Sequence, residues 1–211
     1  MTRRIALLPV VSVIALTGCA SAPQPADSQD VFWTALAGHC GKAYAGALVS
    51  DDAADAAFRG ASMVMHVRSC DEREIRVPFH VQRADGSWDR SRTWVLTRTE
   101  SGLRLKHDHR HEDGTGDAVT MYGGDTADEG TRRSQSFPVD AESIAMFEGA
   151  GLPASVTNVW TVEVDPAGSP EARFAYQLRR TIASGAPADR LFRVEFDTTR
   201  PVAVPPAPWG S

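Results

Sequence analysis

The feature that most constrains this chain is a run of short β-type segments separated by two-residue turn signals between residues 63 and 122. Glu74–Arg83 alternates, with Ile75, Val77, Phe79 and Val81 on one side of a period-two pattern. Asp85-Gly86, Ser101-Gly102 and Asp113-Gly114 divide it from Ser87–Thr99, Leu103–His111 and Ala118–Tyr122. Asp-Gly suits a two-residue hairpin because both central residues take positive φ there. With Met63–Cys70 in front, these segments form a meander whose neighbours pair antiparallel. A weaker strand, Ala43–Val49, comes earlier, followed by a loop over residues 50–60 with a helical turn at 52–58. Gly123-Gly124-Asp125 through Gly130 reads as a turn-rich connection. Ser134–Val139, Ser155–Val164, Ala172–Ile182 and Leu191–Asp197 supply the remaining strands.

Two short helices complete the pattern. Asp30–Gly38 has Asp30 as cap, Gly38 as stop, and Val31/Phe32 and Ala35/Leu36 on one face. Asp140–Gly149 has Asp140 as cap, Ile144 and Phe147 turned inward, and Gly149 as stop. The fold expected is mainly β, an antiparallel meander of about eight to ten strands, closing into a barrel because closure removes exposed edges. A two-sheet sandwich is the alternative. A helix ahead of the first strand, then successive hairpins, resembles the lipocalin and calycin barrels. That resemblance is one of architecture over residues 31–199, read as a single domain, and does not by itself define a function. Residues 200–211, with Pro201, Pro205, Pro206 and Pro208, form a Pro-rich tail not expected to continue a central strand.

The N-terminus carries a different message. Arg3 and Arg4 precede an apolar run, Ile5 to Ala15, of about 11 residues, where a bilayer core needs roughly 20. Its length is that of the apolar region of a signal peptide. Leu16-Thr17-Gly18-Cys19 follows and resembles the lipobox of bacterial lipoproteins. The resemblance implies removal of residues 1–18, acylation of Cys19 and anchorage to a membrane through the lipid. More than one acyl chain is needed for stable anchorage. Residues 19–30, rich in Ala, Ser and Pro, read as a flexible tether. With no Asp directly after Cys19, the class implies the outer membrane of a Gram-negative cell, facing the periplasm.

Charge and cysteines fit an exported body. Lys and Arg number 22 against 27 Asp and Glu, net −5, and the leader takes two arginines with it. An acidic body argues against nucleic acid as a partner. Cys40 and Cys70 remain as an even pair in an oxidising compartment and are expected to form a disulfide.

The segment richest in reactive side chains is Leu103–Asp113. Alternation on a strand places Leu103, Leu105, His107, His109 and His111 on one face. If the leucines mark the core, the histidines continue that face toward a barrel mouth. Imidazoles in that pattern suit Zn or another transition metal. Three from one straight strand, about 6.6 Å apart in succession, do not converge on one ion, so a centre needs a ligand from a neighbouring strand; His66 and His80 are the histidines available, though His80 alternates opposite the Ile75/Val77/Phe79 face. The alternative is a polar strand end whose charges are solvated or paired with Arg90, Arg92 and Arg98. Trp94 and Trp160, flanked by apolar strand residues, are expected in the core. No Gly-x-Ser-x-Gly elbow, phosphate loop or dinucleotide fingerprint occurs. The function expected is therefore a non-catalytic binding domain, for a small molecule or an envelope protein, on a membrane-anchored lipoprotein. A metal-binding protein or metal-dependent enzyme using His107, His109 and His111, and a purely structural envelope lipoprotein, are the alternatives.

Overall fold

A computed structural model describes residues 27–211; the leader, Cys19 and the start of the tether lie outside the described residues. The strands are β1 (Ala43–Leu48), β2 (Met63–His66), β3 (Ser69–Cys70), β4 (Glu74–Gln82), β5 (Trp88–Thr99), β6 (Gly102–His109), β7 (Tyr122–Asp125), β8 (Ser134–Pro138), β9 (Val159–Val164), β10 (Arg173–Arg180) and β11 (Arg190–Val202). Two α-helices, α1 (Ser28–Ala37) and α2 (Ala141–Gly149), join them.

All strands belong to one antiparallel sheet, in the order β7-β6-β5-β4-β2-β1-β11-β10-β9-β8, with β3 paired to β4 off that path. Apart from β3, which lies off the path, and β7 and β8 at its ends, which are not paired with each other, each strand pairs with the next along the chain, and β1 pairs with β11 to join the two ends of the chain. The sheet therefore curls into a nearly closed barrel, as the turn pattern predicts, and not into a two-sheet sandwich. The remaining seam lies between β7 and β8. It is bridged by the Asp140 N–H donating to the Gly123 carbonyl at 2.9 Å and the Gly123 N–H donating to Ser143 Oγ at 2.8 Å.

That seam explains one departure from the sequence reading. Gly123-Gly124-Asp125 was expected as a connection and is instead the body of β7. A Cβ on Gly123 would collide with the Leu105 carbonyl, and one on Gly124 with that of Pro138. The glycines are there to let three backbones approach, not to turn the chain.

Other departures have equally local causes. Asp27, not Asp30, caps α1 by accepting from Gln29 N, which frees Asp30 to meet Arg98 at 2.5 Å. The helix thus takes in residues 28–30 of the expected tether. Ser155–Val164 splits because Pro153–Thr157 forms a 3-10 turn with proline at its start. Met63–Cys70 divides into β2 and β3. β11 runs through Pro201 to Val202. Its pairing with β10 ends at Asp197, while Tyr44↔Pro201 and Ala43↔Val202 continue on β1. A proline is tolerated where one side of the strand has no partner.

The expected disulfide Cys40–Cys70 is present, with Cα atoms 6.2 Å apart. It ties the chain just after α1 to β3. Inside, α1 plugs one end of the barrel with Phe32, Trp33 and Leu36, and Arg98 lies over the Trp33 ring at 4.8 Å. Met65, Val77, Leu96, Leu105, Phe137, Val162 and Phe174 fill the middle. Trp94 and Trp160 are buried as expected.

Candidate functional site

The end of the barrel opposite α1 is not filled. A cavity of about 290 Å³ opens there, lined by residues from β4, β5, β6, β7, β9, β10 and β11. The turn Ala53–Phe58, the Pro153–Thr157 turn and Phe147 of α2 form its rim. The inward registers that pack the core run on into it. On β5 the series is Leu96, Trp94, Arg92; on β6, Leu105, His107, His109; on β10, Phe174, Tyr176, Leu178, Arg180; on β11, Val194, Phe192, Arg190.

The floor is aromatic. Trp94 stacks on Tyr176 at 4.4 Å on one side and on Phe79 at 4.9 Å on the other. The wall is His107, parallel to the Tyr122 ring at 4.7 Å and tilted against Trp160 at 5.0 Å. His107 Nδ1 lies 3.0 Å from the Tyr122 carbonyl, which can only accept, so Nδ1 carries the proton and donates. Its Nε2 therefore accepts from the Tyr176 hydroxyl at 2.7 Å. The Tyr122 hydroxyl and His109 Nε2 are 3.1 Å apart.

Burial sets the protonation states. Desolvation, followed by the nearby positive groups, pushes His107 down to about 3 and His109 to about 4. It pushes the Tyr122 hydroxyl up to about 12 and that of Tyr176 well above its ordinary value. Near neutrality all four are uncharged.

The fixed charges of the cavity lining are three guanidiniums and one carboxylate. Arg190 forms a fork with Asp55, at 2.5 and 2.7 Å, and reaches Asp52 at 3.3 Å. Arg92 donates to Asp89 at 2.6 Å and lies over the Phe58 ring at 5.7 Å. Arg180 has no carboxylate partner among the described residues. It donates a long bond, 3.4 Å, to Asn158 Oδ1, and its Nε is sealed from solvent with no acceptor.

The three histidines singled out in the sequence do not come together. His107 and His109 face the cavity as alternation predicts. His111 is exposed beyond the end of β6, in the turn closed by Gly114 N–H donating to its carbonyl. Both His107 nitrogens are engaged by protein groups. His66 and His80 lie elsewhere, buried on β2 and β4, and neither His80 nitrogen has a partner. Among the described residues no three His, Cys, Asp or Glu side chains are placed to hold a metal ion. His107 and His109 thus lack the third ligand from a neighbouring strand that a centre on this strand would need, and His111 stands apart from both.

Nor do Arg90, Arg92 and Arg98 pair with the acids of β6. Asp108 takes Arg110 at 2.8 Å and Arg76 at 3.5 Å, Arg90 donates to the Ala207 carbonyl, and Arg98 meets Asp30. Arg180, Arg190, Asp55, Tyr122 and Tyr176 were missed as site residues. The available signal was register: Phe174-x-Tyr176-x-Leu178-x-Arg180 and Arg190-x-Phe192-x-Val194-x-Phe196 put both arginines on the core face. A comparison with protein-family models and with curated proteins finds no match to this chain.

Proposed function

We propose that this chain is a membrane-anchored cell-envelope lipoprotein whose barrel binds a small molecule without transforming it. The observation that carries the binding half is the cavity of about 290 Å³ at one barrel end, close to the lower limit for ligand sites at about 300 Å³. Its aromatic floor and few convergent polar groups are what a small-molecule site requires. The non-catalytic half rests on chemistry. A general acid or base works best when its pKa lies near the working pH. The imidazoles of His107 and His109 and the hydroxyls of Tyr122 and Tyr176 all lie far from neutrality.

The anchor rests on Leu16-Thr17-Gly18-Cys19 behind a short apolar leader. A hydrated body on a lipid tether agrees with the barrel's outer wall. There Arg193 pairs with Glu163 and Glu195, and Arg173 with Glu195, where a membrane-spanning barrel presents an apolar band. No described helix is long and apolar enough to cross a membrane.

One preparation tests both halves. The full chain is produced in a Gram-negative host and extracted from membranes in mild detergent. Denaturing mass spectrometry is expected to show loss of residues 1–18 and acyl chains on Cys19, both abolished in Cys19→Ser. Native mass spectrometry is expected to show an added small mass that denaturation releases. An unmodified Cys19 removes the membrane address. A barrel that carries no added mass and takes up no apolar fluorescent probe removes the small-molecule reading and leaves the structural lipoprotein.

A further inference from the structure

The lining of the cavity says more about its occupant than its size does. An arginine drawn out of water is tolerated when anions or acceptors compensate it. Arg190 and Arg92 satisfy that condition internally, through Asp55 and Asp52 in one case and Asp89 in the other. Arg180 does not. It follows Tyr176 and Leu178 along the inward face of β10, so its stem is seated on the wall and its head is held at the mouth. Its Nε is buried and unpartnered, and its only side-chain bond is the 3.4 Å contact to the neutral Asn158. Burial and the neighbouring Arg190 charge both weigh against its protonated form, yet a guanidinium stays charged.

Below it the cavity is lined by the aromatic cluster of Trp94, Tyr176, His107 and Tyr122, whose ring faces are turned largely on one another. What the cluster leaves to the cavity is apolar surface, and the neutral imidazoles add no charge. One guanidinium without a carboxylate in contact, above an aromatic lining, fits a ligand with one negative end.

We propose that the cavity binds a small planar monocarboxylate, its carboxylate paired with the Arg180 guanidinium and its apolar ring packed on the aromatic lining below. This rests on the small-molecule reading above and adds the chemical class of the ligand. A guanidinium matches a carboxylate with two parallel N–H donors, which fixes orientation as well as charge.

The test compares two probes of one shape, 2-naphthoate and the neutral 2-naphthamide, titrated into the full chain and followed by tryptophan fluorescence and calorimetry. The naphthoate is expected to bind about 10- to 100-fold more tightly, the range of a charge-assisted pair. Arg180→Gln is expected to lose most of that difference while leaving the amide within about twofold. The comparison in the unaltered protein stands on its own should Arg180→Gln not fold. Equal binding of the two probes overturns the carboxylate assignment and leaves a small-molecule cavity. A preference for naphthoate that survives in folded Arg180→Gln also overturns it, since the anion then sits on another group. No binding of either probe overturns the assignment together with the reading it rests on.

Discussion

Two side chains at the barrel mouth show how much the surroundings of a residue decide. His107 and His109 are held near 3 and 4, and His80 near 4, all by desolvation first. In the folded state these imidazoles favour the neutral form, so unfolding takes up protons below the ordinary histidine value of 6.5. The contribution is complete above about pH 6.5 and is lost as pH falls toward 4, at up to about 1.4 kcal/mol per pH unit for each histidine. Urea midpoints are expected to fall steadily from pH 7 to pH 5, and His109→Gln to flatten that decline. A profile indifferent to the substitution would show that His109 does not titrate with folding. Asp55, buried and forked by Arg190, makes a second case. Asp55→Asn is expected to cost about 2–3 kcal/mol, because it removes the charged fork and leaves the largely shielded Arg190 only the 3.3 Å contact to Asp52. Adding Arg190→Met is expected to restore part of the loss, which a double-mutant cycle by chemical denaturation reads directly. At this scale the sequence was half legible. Alternation placed His107 and His109 correctly, since Leu103 and Leu105 mark the same face. Arg180 and Arg190 were passed over because charge at a strand end is ordinarily solvated, and only the course of neighbouring strands shows these two turning into a cavity.

Elements were legible where a turn has its own chemistry. Asp85-Gly86 and Asp113-Gly114 stand where the hairpins turn, with Gly86 at φ +84° and Gly114 at +87°. β7 was not, because its glycines answer to backbones far away in sequence. Gly124→Ala is expected to force the β7–β8 seam apart, at a cost of about 3 kcal/mol, at the upper end for overpacking. Hydrogen exchange at Tyr122–Asp125 is expected to quicken with it, and an unchanged rate there would mean that the seam yields without opening. The Cys40–Cys70 bridge belongs to this scale too. It closes a loop of 30 residues holding β1 and β2, worth about 3–4 kcal/mol of chain entropy. Reduction is expected to lower the thermal midpoint while the cavity floor, built from β5 and β10, keeps its tryptophan emission.

For the whole molecule, the barrel is a succession of hairpins whose two chain ends meet in the β1–β11 pair. That order was readable because, outside β3 and the β7–β8 seam, each strand pairs with the next. The closure itself was only an expectation, since no local signal announces that the last strand will find the first. The tail returns past it to β5, where Arg90 donates to the Ala207 carbonyl and receives at its own carbonyl the Trp209 N–H, and Arg83 lies over the indole of Trp209. At the far end, α1 is fixed by Gln29 to Thr126 and Asp128 and by Asp30 to Arg98. Whatever precedes residue 27 therefore joins the barrel at its stoppered base. Under the proposed anchor at Cys19 the tether would leave the barrel from its closed end, on the side away from the opening of the cavity.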